Sequence, residues 1–248
     1  MRAGVLLLPL LLAGCGGHWG WHVVNPADPR GQANLGFMLS GFWATVSLSL
    51  ATMALSILLG LAVALMGMAR WRALRWLNRG YVELFRAIPI LVMILWVFYG
   101  LPVVLDIRLD VFVAAMLAIA ICDSAFEAEI FRAGIQSVEQ GQREAAMALG
   151  LSPWQRMRFV ILPQAIRRVL PPIANQFIYV VKMSSLASVI GYQELTRKAN
   201  ELVVTVFRPL EIYSILILEY LVLILLISAA VRWLERLMGA DQGAPRIT

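Results

Sequence analysis

Residues 144–163 read EAAMALGLSPWQRMRFVILP, and they form the one long segment with many polar side chains between hydrophobic runs of this chain. Good helix formers from Gln142 to Leu149 predict a first short helix, and Gly150 stands where a left-handed residue ends such a helix. Ser152 and Pro153 supply an N-cap followed by proline at the first position of a second helix. The segment therefore predicts two short helices joined by a tight turn.

Small residues surround this predicted turn. Because alanine and glycine project little side chain, the backbone of another protein can approach the turn closely. Charged side chains border the same region and can fix the orientation of a partner. The sequence thus predicts a docking surface, whose small residues are Ala145, Ala146, Ala148 and Gly150 and whose charged residues are Arg143, Glu144, Arg156 and Arg158.

The composition is that of an integral membrane protein. Of 248 residues, 60% are hydrophobic and 15% are charged, and the mean hydropathy is +0.78. A soluble domain cannot cover its surface with so few polar groups. The net charge of +6 would suit a nucleic-acid partner, but the arginines are scattered at the ends of apolar runs. We therefore expect a membrane lipid environment and no nucleic-acid partner.

Cysteines and histidines offer little chemistry. Cys15 and Cys122 are the only cysteines, and Cys122 lies inside an apolar run, so neither a disulfide framework nor a cysteine metal site is indicated. His18 and His22 have the spacing of a helical metal site, but neighbouring glycines disfavour a helix there. We expect no metal site.

The N-terminus begins with a positive charge and a short apolar run. Val5–Ala13 is too short to span a bilayer, so residues 1–15 are typical of a secretory signal. Leu12–Cys15 is similar to a bacterial lipoprotein signal box, which predicts lipidation of Cys15 on the outer face. An uncleaved signal, or a start codon assigned too far upstream, is the alternative. Residues 16–34 are then expected to form an external segment.

Five apolar runs predict five spans within a transmembrane domain at residues 35–237. Arginines after the first and third runs place those ends in the cytoplasm, so the N-terminus is expected outside and the C-terminus inside. Residues 133–166 then form a cytoplasmic loop, residues 191–211 an external amphipathic segment and residues 238–248 a tail. The predicted spans are Leu35–Ala69, about Tyr81–Leu105 with kinks or ends at Pro89 and Pro102, Val111–Glu129, about Val169–Val189 opening with Pro171 and Pro172, and Ile212–Val231.

The segment at 144–163 resembles the EAA loop of ABC importer permeases. That loop reads Glu-Ala-Ala, three residues, Gly, nine residues and Ile-x-Leu-Pro, and the only departure here is Val160 where isoleucine is usual. The resemblance extends over about Gly41 to Leu237. Within the family, the sequence is similar to the polar-amino-acid branch. Its further matching stretches are Glu83–Arg86, Ala128–Arg132, Ile135–Ser137, Leu162–Ala165, Pro171–Pro172, Asn175–Phe177 and Phe207–Pro209.

This resemblance implies an all-α polytopic protein with the five-helix core of a type I ABC importer permease. It implies a pore subunit rather than an enzyme, which translocates a polar amino acid across the bacterial inner membrane by alternating access. The implied partners are two cytoplasmic ATPase subunits, a second permease chain in a homo- or heterodimer, and an external amino-acid-binding protein. The implied ATPase-coupling residues are Glu144, Ala145, Ala146, Gly150 and Pro163.

The chain itself lacks a phosphate-binding loop. Its only lysines, Lys182 and Lys198, follow no glycine-rich loop, so ATP and Mg²⁺ are expected on the partner ATPase and no cofactor on this chain. A small ion-coupled secondary transporter or channel is the alternative function, and a scaffold subunit is a third. Neither alternative accounts for the two-helix turn.

Four charged residues interrupt the predicted spans. Each such charge costs roughly 2.5 to 3.5 kcal/mol near mid-membrane, so these side chains should face the bundle or a wet cavity. They are candidates for structural ion pairs or for a transport pathway that favours a cationic amino acid. Asp123 and Lys182 have similar predicted depths, and we expect them to pair. The four residues are Asp123, Glu127, Lys182 and Glu219.

Overall fold

The computed structural model describes residues 20–237. The predicted lipidation site Cys15, the signal-like residues 1–15, His18 and the tail at 238–248 lie outside the described residues. His22 lies within them, in a 3-10 turn that spans Trp21–Val24.

Throughout residues 20–237 the chain forms helices and no strand, so the expected all-α polytopic fold is confirmed. Four helical segments are long and apolar enough to cross a membrane, and a bent fifth segment qualifies when its two halves are taken together. The helices are α1 Pro29–Leu39, α2 Phe42–Met68, α3 Arg72–Ala87, α4 Ile90–Leu95, α5 Leu101–Leu105, α6 Val111–Gln136, α7 Gln140–Ala148, α8 Leu162–Met183, α9 Leu195–Val206 and α10 Pro209–Leu237.

Helices α2 and α6 form the centre of the bundle. A Cβ atom built on Gly60 of α2 would lie 2.5 Å from Cβ of Glu127 and 3.0 Å from the carbonyl oxygen of Ser124, so glycine is what permits the close approach. One turn earlier, Ser56 contacts Asp123. From one contact to the next, the residue numbers increase in both α2 and α6. The two helices therefore run parallel, and their C-terminal ends lie at the same end of the bundle.

The second predicted span is not one kinked helix. The chain breaks between α3 and α4 with a bend of 100°. Ile88 has an extended backbone there, because the following Pro89 disfavours helical geometry in the residue before it. Helix α3 also begins earlier than predicted and packs back along α2, where Nδ2 of Asn78 donates to the carbonyl oxygen of Val63 at 2.7 Å.

The helix of the fourth span begins earlier in the sequence than we predicted. Helix α8 starts at Leu162, and Pro171 and Pro172 lie inside it rather than at its opening. The chain then continues as a 3-10 helix over Ser184–Ile190 and turns at Gly191, where φ is +90°. Sequence hydropathy marks only the apolar part of a helix, whereas helical hydrogen bonding continues into polar flanks.

Other helix limits also differ from the predicted spans. Helix α2 begins at Phe42 rather than at Leu35, since a break at Ser40 and Gly41 separates it from α1. Helix α6 extends past the predicted end at Glu129, and α10 extends past both ends of the predicted fifth span. The loop between α6 and α8 is thereby shorter than the predicted 133–166.

The end of the bundle opposite that loop is closed by α9. The backbone N–H of Leu195 donates to Oγ1 of Thr45 at 3.2 Å, which joins α9 to the start of α2. Leu195 and Ala199 pack against Ile212 at the start of α10. The helix ends at Val206, and its C-cap residue Phe207 has a left-handed φ of +55°. The predicted amphipathic segment at 191–211 is thus a helix with one buried face.

Candidate functional site

The tight turn forms as the sequence predicts, but the helix after it is not a short separate one, because the chain stays helical from Pro153 to Ile190. Helix α7 ends at Ala148, and Gly150 has a φ of +74°, the left-handed geometry expected for it. The N–H of Gly150 donates to Met147 O at 2.9 Å and the N–H of Leu151 to Ala146 O at 3.2 Å, which satisfies the last carbonyls of α7. These bonds make the turn a rigid feature.

The second half of the turn is fixed by a capping box. The N–H of Gln155 donates to Oγ of Ser152 at 3.3 Å, and Oε1 of Gln155 accepts from the N–H of Ser152 at 2.8 Å. Pro153 occupies the first helical position. A π-helical stretch at Arg156–Ile161 then leads into α8. Both sides of Gly150 are therefore locally stabilised.

Apolar side chains cover the outside of this turn. Leu149 is 80% exposed and Trp154 69% exposed, and Met147 and Phe159 are also exposed. Burying such side chains against a partner releases about 25 cal/mol per Å² of apolar surface. We name residues 140–163 the coupling knuckle. Of its predicted docking residues, Glu144, Ala145, Gly150 and Pro163 are exposed, whereas Ala146 is buried.

A small separate core holds the coupling knuckle to the bundle. Val138, Ile161 and Ala165 are buried together between the end of α6 and the start of α8. A guanidinium nitrogen of Arg143 donates to the carbonyl oxygen of Ile135 at 2.7 Å, and Arg168 donates to Ser137 O. These contacts attach the knuckle to α6 and α8.

Asp123 lies fully buried where α2, α6 and α8 meet. Its Oδ2 accepts a hydrogen bond from Oγ of Ser56 at 2.6 Å, and its Oδ1 accepts one from Nε2 of Gln176 at 2.5 Å. The carboxylate thus joins three helices by side-chain hydrogen bonds.

The predicted pair of Asp123 with Lys182 is not present. Lys182 is exposed near the end of α8, and within residues 20–237 it forms no ion pair. The depth argument failed because equal depth does not fix the direction of a side chain around its helix. Amide and hydroxyl groups, rather than an ammonium, satisfy Asp123.

Glu127 and Glu219 have no such partners. Glu127 is fully buried one turn beyond Asp123, and neither of its carboxyl oxygens has a hydrogen-bond partner within the described chain. Glu219 is half-buried on α10, and its two oxygens also lack a partner among residues 20–237. Of the four charged residues predicted within the spans, the structure brings only Asp123 and Glu127 together.

Sequence reasoning missed the polar groups that surround these charges. Ser56 lies in an uncharged apolar run, where a lone serine gives no signal beyond its helical spacing. Gln176 lies in one of the stretches that carry the family resemblance. Glu194 lies in the predicted amphipathic segment at 191–211, and it is fully buried and accepts from the N–H groups of Thr196 and Arg197. Burial raises the pKa of Glu194, and these hydrogen bonds oppose that rise.

The comparisons with known proteins bear on the whole arrangement. Residues 56–240 match the family described as "Binding-protein-dependent transport system inner membrane component". The chain belongs to this family. It is accordingly a multi-pass permease of the inner membrane and a subunit of an ABC importer that works with ATPase subunits and substrate-binding proteins.

Several named permeases are similar over most of their length. The chain is 39% identical over 223 residues to the glutamine transport system permease protein GlnP of Escherichia coli strain K12, covering 88% of this chain and 97% of that protein. It is 40% identical over 203 residues to the probable glutamine ABC transporter permease protein GlnM of Bacillus subtilis, with 82% and 94% covered. It is 32% identical over 205 residues to the arginine permease ArtQ of the same organism, with 83% and 94% covered.

Solved structures share the architecture. An amino acid ABC transporter crystallised with histidines is 37% identical with a TM-score of 0.76, and the match covers 81% of this chain and 94% of that one. The inward-facing MetNI methionine transporter matches with a TM-score of 0.70 at 20% identity, over 82% of this chain and 96% of that one, which supports the fold alone. As a permease family member, the chain is a pore subunit rather than an enzyme, and the ion-coupled alternative is set aside.

Proposed function

We propose that this permease imports a polar amino acid by alternating access. The proposal is supported by the relatives, whose names assign them to glutamine or arginine transport. The observation that carries it is the coupling knuckle, which is rigid at Gly150 and exposes apolar side chains at one end of the bundle. A surface of this kind suits a protein partner that moves the transmembrane helices.

In the proposed complex, two permease chains, identical or different, associate with two ATPase subunits and one external binding protein. Each ATPase receives one coupling knuckle through Glu144, Ala145, Gly150 and Pro163, and the buried Ala146 supports this surface from below. ATP and Mg²⁺ bind to the ATPase subunits. The exposed Leu149 and Trp154 supply the apolar contact, and the bare Gly150 lets the partner approach closely.

The proposed orientation follows from charge. Arg70, Arg72, Arg75 and Arg79 lie directly after α2, at the same end of the bundle as the coupling knuckle, because α2 and α6 are parallel. Basic residues concentrate on the cytoplasmic side of membrane proteins. The coupling knuckle and the C-terminus are therefore proposed to be cytoplasmic, with the N-terminus external.

The charges within the spans are proposed to serve the transport route. Lys182 is exposed and Glu219 half-buried, so both are positioned to border a route completed by a second chain. Asp123 and Glu127 are enclosed between α2 and α6, and they reach a solute only when these helices move apart. An excess of carboxyl groups favours a cationic amino acid by attraction.

The test of coupling uses Gly150→Trp in proteoliposomes that contain the permease, its ATPase and the binding protein. A non-glycine residue is strained at a φ of +74°, and the indole blocks close docking, so substrate-stimulated ATP hydrolysis should be lost. The control is Gly80→Trp, because Gly80 also has open space around it but lies on α3. Normal stimulation in Gly150→Trp would overturn the docking proposal.

A further inference from the structure

A small basic pocket lies beside the first turns of α3. It has a volume of about 130 Å³ and is lined by Arg72, Arg75, Trp76 and Arg79. Since a water molecule takes up ~30 Å³ of the liquid, the pocket can hold a group with several heavy atoms, such as a phosphate. Three arginine side chains from one helix thus line one volume.

The arginines of this pocket are not held in close ion pairs by side chains that the structure describes. Within residues 20–237, Arg72, Arg75 and Arg79 form no ion pair. Arg75 is held in place, because its guanidinium donates to the carbonyl oxygens of Ala69 and Arg70, both at 3.1 Å. The partners in those bonds are carbonyl groups, which carry no formal charge. The pocket therefore favours an anion.

Two further features point to a phosphate. Guanidinium groups bind phosphate oxygens through paired N–H donors. The N-terminus of α3 begins at Arg72, has no side-chain cap and belongs to a helix of 16 residues, so its dipole also favours negative charge there. Arg79 lies over the ring of Trp76, 5.8 Å from its centroid, which orients both side chains at the pocket.

Large apolar side chains beside the pocket place it at a membrane surface. Trp71 is 76% exposed, Trp76 70% and Leu77 62%. Tryptophan concentrates at the level of lipid headgroups, where its ring is buried and its N–H is solvated. The pocket also follows directly after Met68, the last residue of a candidate span. A soluble anion would explain the arginines but not the exposed tryptophans.

We propose that this pocket binds the phosphate headgroup of an anionic phospholipid, in the leaflet on the side of the coupling knuckle. The phosphate lies among Arg72, Arg75 and Arg79, and the acyl chains extend along Trp76 and Leu77. The lipid thereby fixes α3, which packs on α2 and α6, relative to the membrane surface. This inference does not depend on the identity of the transported solute.

The test measures lipid retention by native mass spectrometry of the full-length permease purified with its ATPase. Binding of phosphatidylglycerol is titrated and compared with binding of phosphatidylcholine. The tested variant carries Arg72→Gln together with Arg79→Gln. Arg75 is left unchanged because it also ties α3 to the end of α2. Basic residues near a surface each contribute attraction to anionic lipid, so phosphatidylglycerol should bind the variant at least about 10-fold more weakly.

The matched control is Arg232→Gln with Arg236→Gln, which removes two exposed charges from α10. It should lose less phosphatidylglycerol binding than the pocket variant, because these two arginines do not line the pocket, and the melting temperatures of all three proteins should agree. Equal retention by the pocket variant, or equal loss in the control, would overturn the proposal. So would saturable binding of inorganic phosphate at the lipid's concentration, or loss of the ATPase from the variant with lipid retained.

Discussion

Oγ of Ser56 donates a hydrogen bond to Oδ2 of Asp123 at 2.6 Å, and this bond joins α2 to α6 in the middle of the bundle. Gln176 of α8 binds the other oxygen of the same carboxylate. A buried charge is tolerated when hydrogen bonds satisfy it, and here three helices share the satisfied group. Asp123 is therefore a structural junction, whatever further role it has in transport.

Asp123→Ala should destabilise the permease by about 1–3 kcal/mol, because the hydroxyl of Ser56 and the amide of Gln176 lose their partner in a buried place. Asp123→Asn should cost less, since an amide can accept from one neighbour and donate to the other. Thermal unfolding in detergent measures both.

In a double-mutant cycle, Lys182→Met should be additive with Asp123→Asn, because the two residues are not in contact. A coupling energy above the experimental error would show that Asp123 and Lys182 interact after all.

Gly60→Ala should destabilise the bundle by roughly 1–3 kcal/mol, because the new methyl group would lie 2.5 Å from Cβ of Glu127 and 3.0 Å from a backbone oxygen. Gly80→Ala is the control, since a Cβ there meets nothing within 4 Å. In that exposed helical position, alanine should be more stable than glycine by about 0.5–1 kcal/mol. Melting temperatures that shift in the same direction for both variants would contradict the close packing of α2 on α6.

The buried Glu194, which lies outside the membrane-spanning segments, should make the stability of the protein depend on pH. Burial raises its pKa in the folded state above the unfolded value of ~4.3, so the folded protein binds the proton more tightly. Stability is then fully present below the unfolded pKa and is lost as pH rises through the folded pKa. The melting temperature of the wild type should fall with rising pH relative to that of Glu194→Gln.

Glu139→Gln controls for the pH experiment, because Glu139 is exposed and the substitution also removes one carboxyl. This control should follow the wild type over the whole pH range. Parallel curves for the wild type and Glu194→Gln would show that burial of this carboxyl does not affect folding. An opposite slope would mean that the hydrogen bonds from Thr196, Arg197 and Tyr220 outweigh its desolvation.

The coupling knuckle was predictable because local rules determine it. Helix formers, a left-handed glycine and an N-cap followed by proline act within a few residues, and the structure has the glycine and the N-cap at the predicted positions. Hydropathy likewise located the apolar helices. It could not give the 100° bend at Pro89, because a proline permits a kink or an end and tertiary packing decides between them.

Partners of the buried charges were not predictable. Asp123 is satisfied by Ser56 and Gln176, which are 67 and 53 residues away in sequence. Their meeting depends on how α2 and α8 are rotated about their axes, and the uncharged apolar run that forms α2 gives no indication of its rotation. Opposite charges at equal depth suggested Lys182 instead, and that suggestion was wrong.

Substitution of Glu127 can distinguish a structural role of this residue from a role in transport. Neither of its oxygens has a hydrogen-bond partner within the described chain, although the residue is fully buried. An unpaired buried polar group costs about 1–3 kcal/mol by mutational measures. Glu127→Met keeps a similar unbranched shape, so it should raise the stability of the permease by an amount in that range.

The comparison for Glu127→Met is Glu129→Met, the same substitution on the same helix. Glu129 pairs with Arg132 at 2.5 Å in a partly exposed position, so its loss should change stability by less than about 1 kcal/mol. Thermal unfolding and solute uptake are measured for both variants. Higher stability with unchanged uptake would remove Glu127 from the transport route. Higher stability with reduced uptake is the result we expect, since a costly buried group is retained where function needs it.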